Sequence, residues 1–160
     1  KGGGHKMAAG FTVSRDKLDA LSAFLAERIG ADIDSAGIVP KLMLDGAIQA
    51  GGATVDMIET LEMAGPFGSG NAEPKFAIAN ARIAYANLVG KEKTHLQVTL
   101  TDDGGSKLKG ICFRATDTPI AKTLMEHGGA PFHIVGRLRL NTWQGNTSPQ
   151  LLIDDVAAVW

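Results

Sequence analysis

The second half of the chain limits the possible folds most. From Phe76 onward apolar residues alternate in short runs separated by glycine-containing turns, the period-2 pattern of half-buried strands. Five strands are expected, over residues 76–86, 94–101, 107–113, 132–141 and 150–159. Asp102-Asp103-Gly104-Gly105 reads as a hairpin turn between the second and third, and Gln144-Gly145-Asn146 as another between the fourth and fifth. One helix, 118–127, falls between strands three and four, with Ile120, Leu124 and Met125 inward and Gly128-Gly129 as its stop. Three strands, a helix and two strands is the element order of an OB-fold, a small Greek-key barrel, and other five-stranded barrels share it. The fold class is therefore α+β and mainly β. With 160 residues, 44% of them hydrophobic and 21% charged, the chain has apolar surface enough for a sizeable core and is not disordered.

The first half reads differently. Residues 8–13 form a short strand. Ser14 is placed to cap a helix over 15–29 whose apolar stripe is Leu18, Leu21, Leu25 and Ile29, with Gly30 as its stop. Residues 31–37 read as a linker. Asp32-Ile33-Asp34 does not make a calcium loop, because Ala36 and Met43 stand where oxygen ligands are needed. Val39–Ile48 reads as a strand with Pro40 at its edge and Leu42 and Leu44 on one side. A second helix spans 54–64 and stops before Gly65-Pro66. The expected boundaries are 1–30, the linker 31–37, and a domain over 38–160 with the barrel proper in 74–160.

No self-contained catalytic constellation appears. The four histidines are scattered, Asp154 and Asp155 point to opposite faces of a strand, and neither a Gly-x-Ser-x-Gly elbow nor a Walker loop is present. The single cysteine, Cys112, excludes an internal disulfide, reads as a core residue, and fits a reducing, cytoplasmic location. Net charge is −1, but unevenly spread: residues 1–75 hold seven Lys/Arg against ten Asp/Glu, and 76–160 hold nine against seven. A basic groove, if the chain has one, belongs to the second half.

Two sets of residues point to phosphate. Gly2-Gly3-Gly4 leave backbone N–H groups unobstructed and able to take the positive φ of an anion-cradling nest, and His5 adds a further donor. In the barrel, strand 132–140 sets Ile134, Leu138 and Leu140 on one side and His133, Val135, Arg137 and Arg139 on the other. Lys107 and Lys109 share a side of the neighbouring hairpin, and Trp143 stands at the fourth strand's exit. Cations with flat side chains are what a single-stranded nucleic acid needs, and a charged strand face is also what plain solvation produces. Phe67 and Phe76 are expected to pack, while Tyr85 is left unassigned.

Gly2-Gly3-Gly4-His5-Lys6-Met7-Ala8-Ala9-Gly10 resembles the Gly-Gly-Gly-His-x-x-Ala-Ala-Gly signature that closes the DHH-associated domain of DHH-superfamily phosphoesterases. The run Pro66-Phe67-Gly68-Ser69-Gly70-Asn71-Ala72-Glu73-Pro74-Lys75-Phe76 is similar to the Pro-Phe-Gly-x-Gly-Asn-Pro-Glu-Pro-x-Phe motif of RecJ exonucleases, with Ala72 in place of its middle proline. Leu140-Asn141-Thr142-Trp143-Gln144-Gly145 with Gln150-Leu151 is similar to the end of the RecJ OB-fold. The resemblance implies the C-terminal part of a 5′-to-3′ single-stranded-DNA exonuclease of recombination and repair. On that footing residues 1–30 are a strand-helix remnant of the DHH-associated domain and 38–160 the OB-fold domain. The Mn2+ or Mg2+ cofactor is implied to sit in a separate DHH domain, leaving this chain without catalysis of its own. Gly2, Gly3, Gly4 and His5 are implied to hold substrate phosphate, and the OB-fold to carry single-stranded DNA, with Lys107, Lys109, Arg137, Arg139 and Trp143 as candidate contacts. The opening without methionine, directly into a motif, also reads as a piece of a longer protein. The alternative is an OB-fold binding module for RNA or for a protein partner.

Overall fold

The computed structural model describes residues 2–39 and 41–159. The chain divides into two compact units, Lys1–Leu42 and Met43–Trp160.

In the first unit β1 (Gly2–His5) and β2 (Ala8–Phe11) form an antiparallel hairpin, Gly4 opposite Ala9 and His5 opposite Ala8. A Cβ on Gly4 would lie 2.7 Å from Ala9 Cα, so glycine is required there. A 3-10 turn, Arg15–Lys17, then leads into α1 (Leu18–Ala36). This corrects two expectations. Ser14 makes no side-chain cap, and the helix runs through Gly30 and most of the expected linker. A glycine inside a helix costs only about 1 kcal/mol, which the flanking helix formers absorb. The true stop is Gly37 at φ 59°, whose N–H donates to the Asp34 carbonyl, the left-handed cap that glycine favours.

The second unit opens with β3 (Gly46–Ile48), much shorter than the strand expected over 39–48; Pro40 lies outside the described residues. Asp45 clasps the backbone of Lys75 in both directions, its N–H donating to the Lys75 carbonyl and its carboxylate accepting from the Lys75 N–H. That clasp starts the parallel pairing of β3 with β4 (Phe76–Val89). A short 3-10 turn, Ala50–Gly52, precedes α2 (Val55–Glu62), whose first turn Thr54 caps by accepting from the Met57 N–H. Then come β5 (His95–Thr101), β6 (Lys107–Cys112), α3 (Pro119–Met125) capped by Thr118, β7 (Phe132–Trp143) and β8 (Asn146–Ala158).

The order across the sheet is β3-β4-β5-β6-β8-β7, and β4 also pairs with β7, closing a barrel. β4 serves both sides: Phe76–Ala81 pairs with β7, and Arg82–Val89 pairs with β5. The parallel β6–β8 pairing completes the ring. Inside are Ile78, Leu96, Val98, Leu100, Leu108, Ile134 and Leu151, all nearly inaccessible, with Leu124 of α3 and Ile58 of α2 joining the core. This is the expected OB-fold. β8 begins earlier than expected, at Asn146, because Gln144 (φ 50°) and Gly145 (φ 81°) make the turn alone. Pro149 is tolerated because β8 meets β6 only from Gln150 onward, so its other edge is open there. Among the described residues no helix is long and apolar enough to cross a membrane.

Candidate nucleic-acid interface

The outer side of the barrel is laid out by strand register. On the half formed by Arg82–Val89 of β4 with β5 and β6, Arg82 lies opposite Thr101 and Thr101 opposite Lys107. Tyr85 lies opposite Thr99 and Thr99 opposite Lys109; Asn87 opposite Gln97 and Gln97 opposite Ile111. Directly opposed residues share a side of the sheet. The intervening Leu96, Val98, Leu100 and Leu108 fill the core, so these rows face outward. Phe113, just beyond β6, stands edge-on to His95, ring centroids 5.1 Å apart. Three cations, several amide and hydroxyl groups and two exposed aromatics therefore share one surface. No Asp or Glu occurs in 82–89, 95–101 or 107–113.

The adjoining half, β7 and β8, carries Arg137 and Arg139. Their charges are already met. Arg137 donates to both Asp154 oxygens, at 3.3 and 2.9 Å, which raises its pKa further. It also lies 3.7 Å from Glu73, which holds Arg139 in a two-point pair at 2.7 Å on each arm. Lys75 adds a 3.5 Å contact to Asp154. Glu73 and Lys75 both come from the Pro-Phe-Gly run, so that run clamps onto the barrel through this network. Its loop is held by Asn71, whose amide donates to the Ala64 and Pro66 carbonyls. Phe76 is buried and Phe67 half-buried, both packing as expected.

Register links the two halves. Lys109 lies opposite Gln150, and Gln150 opposite Arg139, across the β6–β8 seam. Trp143 is 70% exposed, opposite Asn146 at the far end of the β7–β8 hairpin, about 13 Å along the strand from Arg139. The structure thus gathers Lys107 and Lys109 on an uncompensated surface, binds Arg137 and Arg139 into ion pairs, and sets Trp143 apart. Sequence reasoning missed Arg82, His95 and Phe113 and gave Tyr85 no role. The absence of acidic residues from three successive strands was the signal available.

In the first unit Gly2, Gly3 and Gly4 are extended and none has positive φ, so they form no nest. A Cβ on Gly3 would meet nothing within 4 Å, so the space over that residue is open, unlike that over Gly4. His5 Nδ1 accepts the Met7 N–H at 3.3 Å. In the neutral ring the proton therefore sits on Nε2, which is left to donate outward. Among the described residues no three His, Cys, Asp or Glu side chains converge to hold an ion. Cys112 is buried and its thiol pKa is pushed up, by desolvation first and by Asp154 second.

A five-stranded barrel closed by β4 with a helix between its third and fourth strands places the second unit in the class of OB-fold domains. Residues 44–155 match the RecJ OB domain, and the chain belongs to that family. It is 29% identical over 158 residues to the single-stranded-DNA-specific exonuclease RecJ of Bacillus subtilis (strain 168), covering 97% of this chain and 19% of that protein. Against the protein of the same name from Escherichia coli (strain K12), identity is 30% over 157 residues, covering 98% and 26%. The crystal structure of RecJ from Thermus thermophilus in complex with Mg2+ is similar over 100% of this chain and 23% of that one. Its TM-score is 0.62 at 21% identity, a likeness of fold. The same protein has been solved with Mn2+. The chain spans about a fifth to a quarter of the length of these relatives.

Proposed function

We propose that this chain is the single-stranded-DNA-binding portion of a RecJ-like 5′-to-3′ exonuclease of recombination and repair. The observation that carries the reading is the outer surface of Arg82–Val89, β5 and β6, with three cations, two exposed aromatics and no carboxylate in its strands. Phosphates need the first, bases the second, and neither tolerates a nearby acid. Lys107 and Lys109 are the phosphate contacts. Arg137 and Arg139 border the track and keep its edge rigid.

Phosphodiester hydrolysis belongs to the whole enzyme. Its Mn2+ or Mg2+ is assigned to a DHH domain outside this sequence, and residues 1–160 alone are inactive. Residues 1–30 are the end of the DHH-associated domain, and with the rest of α1 they fall in the first compact unit. There the Gly2–Gly4 backbone, with open space over Gly3, and the Nε2–H of His5 receive a substrate phosphate. The reduced, buried Cys112 is in keeping with the cytoplasm.

The test is binding of an oligo-dT single strand by the 160-residue chain over a range of salt. The expected result is affinity that falls linearly in log–log form, with the Lys107→Ala, Lys109→Ala double variant flattening the slope by about 1.4, from about 0.7 per phosphate contact. Absent or salt-insensitive binding contradicts the reading. Tighter binding of an oligo-U RNA of equal length favours the RNA module instead.

A further inference from the structure

Between Ile83, opposite Leu100, and Tyr85, opposite Thr99, the β4–β5 register gains one residue, so Ala84 is a bulge. Its consequence is a reversal of sides. Strict alternation from the buried Ile83 would send Ala84 outward and Tyr85 into the barrel. With the extra residue, Tyr85 turns outward and Ala86, opposite the buried Val98, turns in. Tyr85 is 55% exposed as a result, on the side of the sheet that carries Lys109. A large aromatic held in solvent, in the same cross-strand row as Lys109 and with no carboxylate on its strand, is poorly explained by packing. From the geometry we infer that Tyr85 is a base-stacking platform: the bulge presents its ring to a nucleobase while Lys109, two strands away in the same row, takes a phosphate. Phe113, 58% exposed and braced by His95, lies two residue rows further on, just beyond the end of β6. It is about 13 Å from the Tyr85 row and is placed to take a second base of the same strand. The inference rests on the proposed single-strand reading and adds how the bases, rather than the phosphates, are held.

Stacking on one aromatic changes affinity by roughly 5- to 140-fold per base. For the 160-residue chain, Tyr85→Ala is expected to weaken binding of an oligo-dT single strand within that range. The salt slope should not change, because no phosphate contact is lost. Tyr85→Phe keeps the ring and is expected to bind within about twofold of the parent. On an abasic deoxyribose-phosphate strand of equal length, parent and Tyr85→Ala should bind alike, since no base is present to stack. Because the side chain lies outside the core, an unchanged melting temperature checks that each variant is folded. If Tyr85→Ala binds oligo-dT as tightly as the parent while Lys109→Ala weakens it, the stacking role is wrong and the single-strand reading stands. An equal loss on the abasic strand also refutes stacking. If the parent chain binds neither strand, both readings fall together.

Discussion

At the scale of single residues, side chains that look alike in sequence divide by the company they keep. Arg137 sits in a carboxylate fork with Asp154 and beside Glu73, whereas Lys109 is exposed with no acidic residue on its strand. Arg137→Ala is therefore expected to cost about 1 kcal/mol of stability, a partly exposed pair being worth little more. Denaturant melts would show that loss, and DNA titrations should show little change. Lys109→Ala should do the reverse. Asp102 is a second case. It closes the β5–β6 turn by accepting from the Ser106 N–H at 2.9 Å, and it ties in the 3-10 turn through the Gly51 N–H at 2.9 Å. These donors, Gly51 first, hold its pKa below the ordinary carboxylate value. A depressed folded pKa means its contribution is fully present above the unfolded value near 4 and is lost as pH falls through the lower folded value. Thermal melts of the parent and Asp102→Asn should differ at pH 6, the parent melting higher, and converge as pH drops below about 4.

Among the elements, β7 depends on a single close approach. A Cβ on Gly136 would run into the Leu152 carbonyl, at the point where the β7–β8 register shifts. Gly136→Ala should destabilise the barrel by about 2–4 kcal/mol through overpacking against backbone, while Gly70→Ala, with open space around it, should cost far less. Urea melts of the pair decide this. What was legible in the sequence follows from range. The strand periods, the Asp102–Gly105 and Gln144-Gly145 turns and the inward Leu124 depend on neighbours a few residues apart and can be read along the chain, whereas Met125, expected inward beside Leu124, is exposed. The bulge at Ala84 depends on where β5 happens to pair. The capture of Arg139 by Glu73 joins residues 66 positions apart, and neither leaves a local mark. The extension of α1 past Gly30 was hidden for another reason: a glycine signals a stop only where the chain turns left-handed, which happens at Gly37. The expected nest at Gly2–Gly4 failed similarly, because glycine permits positive φ without requiring it.

On the scale of the whole molecule, the two units differ in how they are built. Met43–Trp160 holds a contiguous core in which nine large side chains, among the described residues, are almost fully buried. None of α1's residues is buried, and its stripe leaves Leu18, Leu25 and Ile29 exposed. Residues 43–160 expressed alone should fold and melt cooperatively, and limited proteolysis of the full chain should cut within 1–42 first. A protected 1–42 with a degraded barrel would show the reverse hierarchy. The proposed DNA track, whose residues all belong to the second unit, should survive that truncation. The most direct test is to follow backbone amide shifts of the 160-residue chain while titrating in an oligo-dT single strand. The shifts are expected to concentrate in 82–89, 95–101 and 107–113, with only small changes along the ion-paired stretch of β7 and β8. Shifts centred on Arg137, Arg139 and Asp154, or no localised shifts at saturating DNA, would contradict the assignment of that surface.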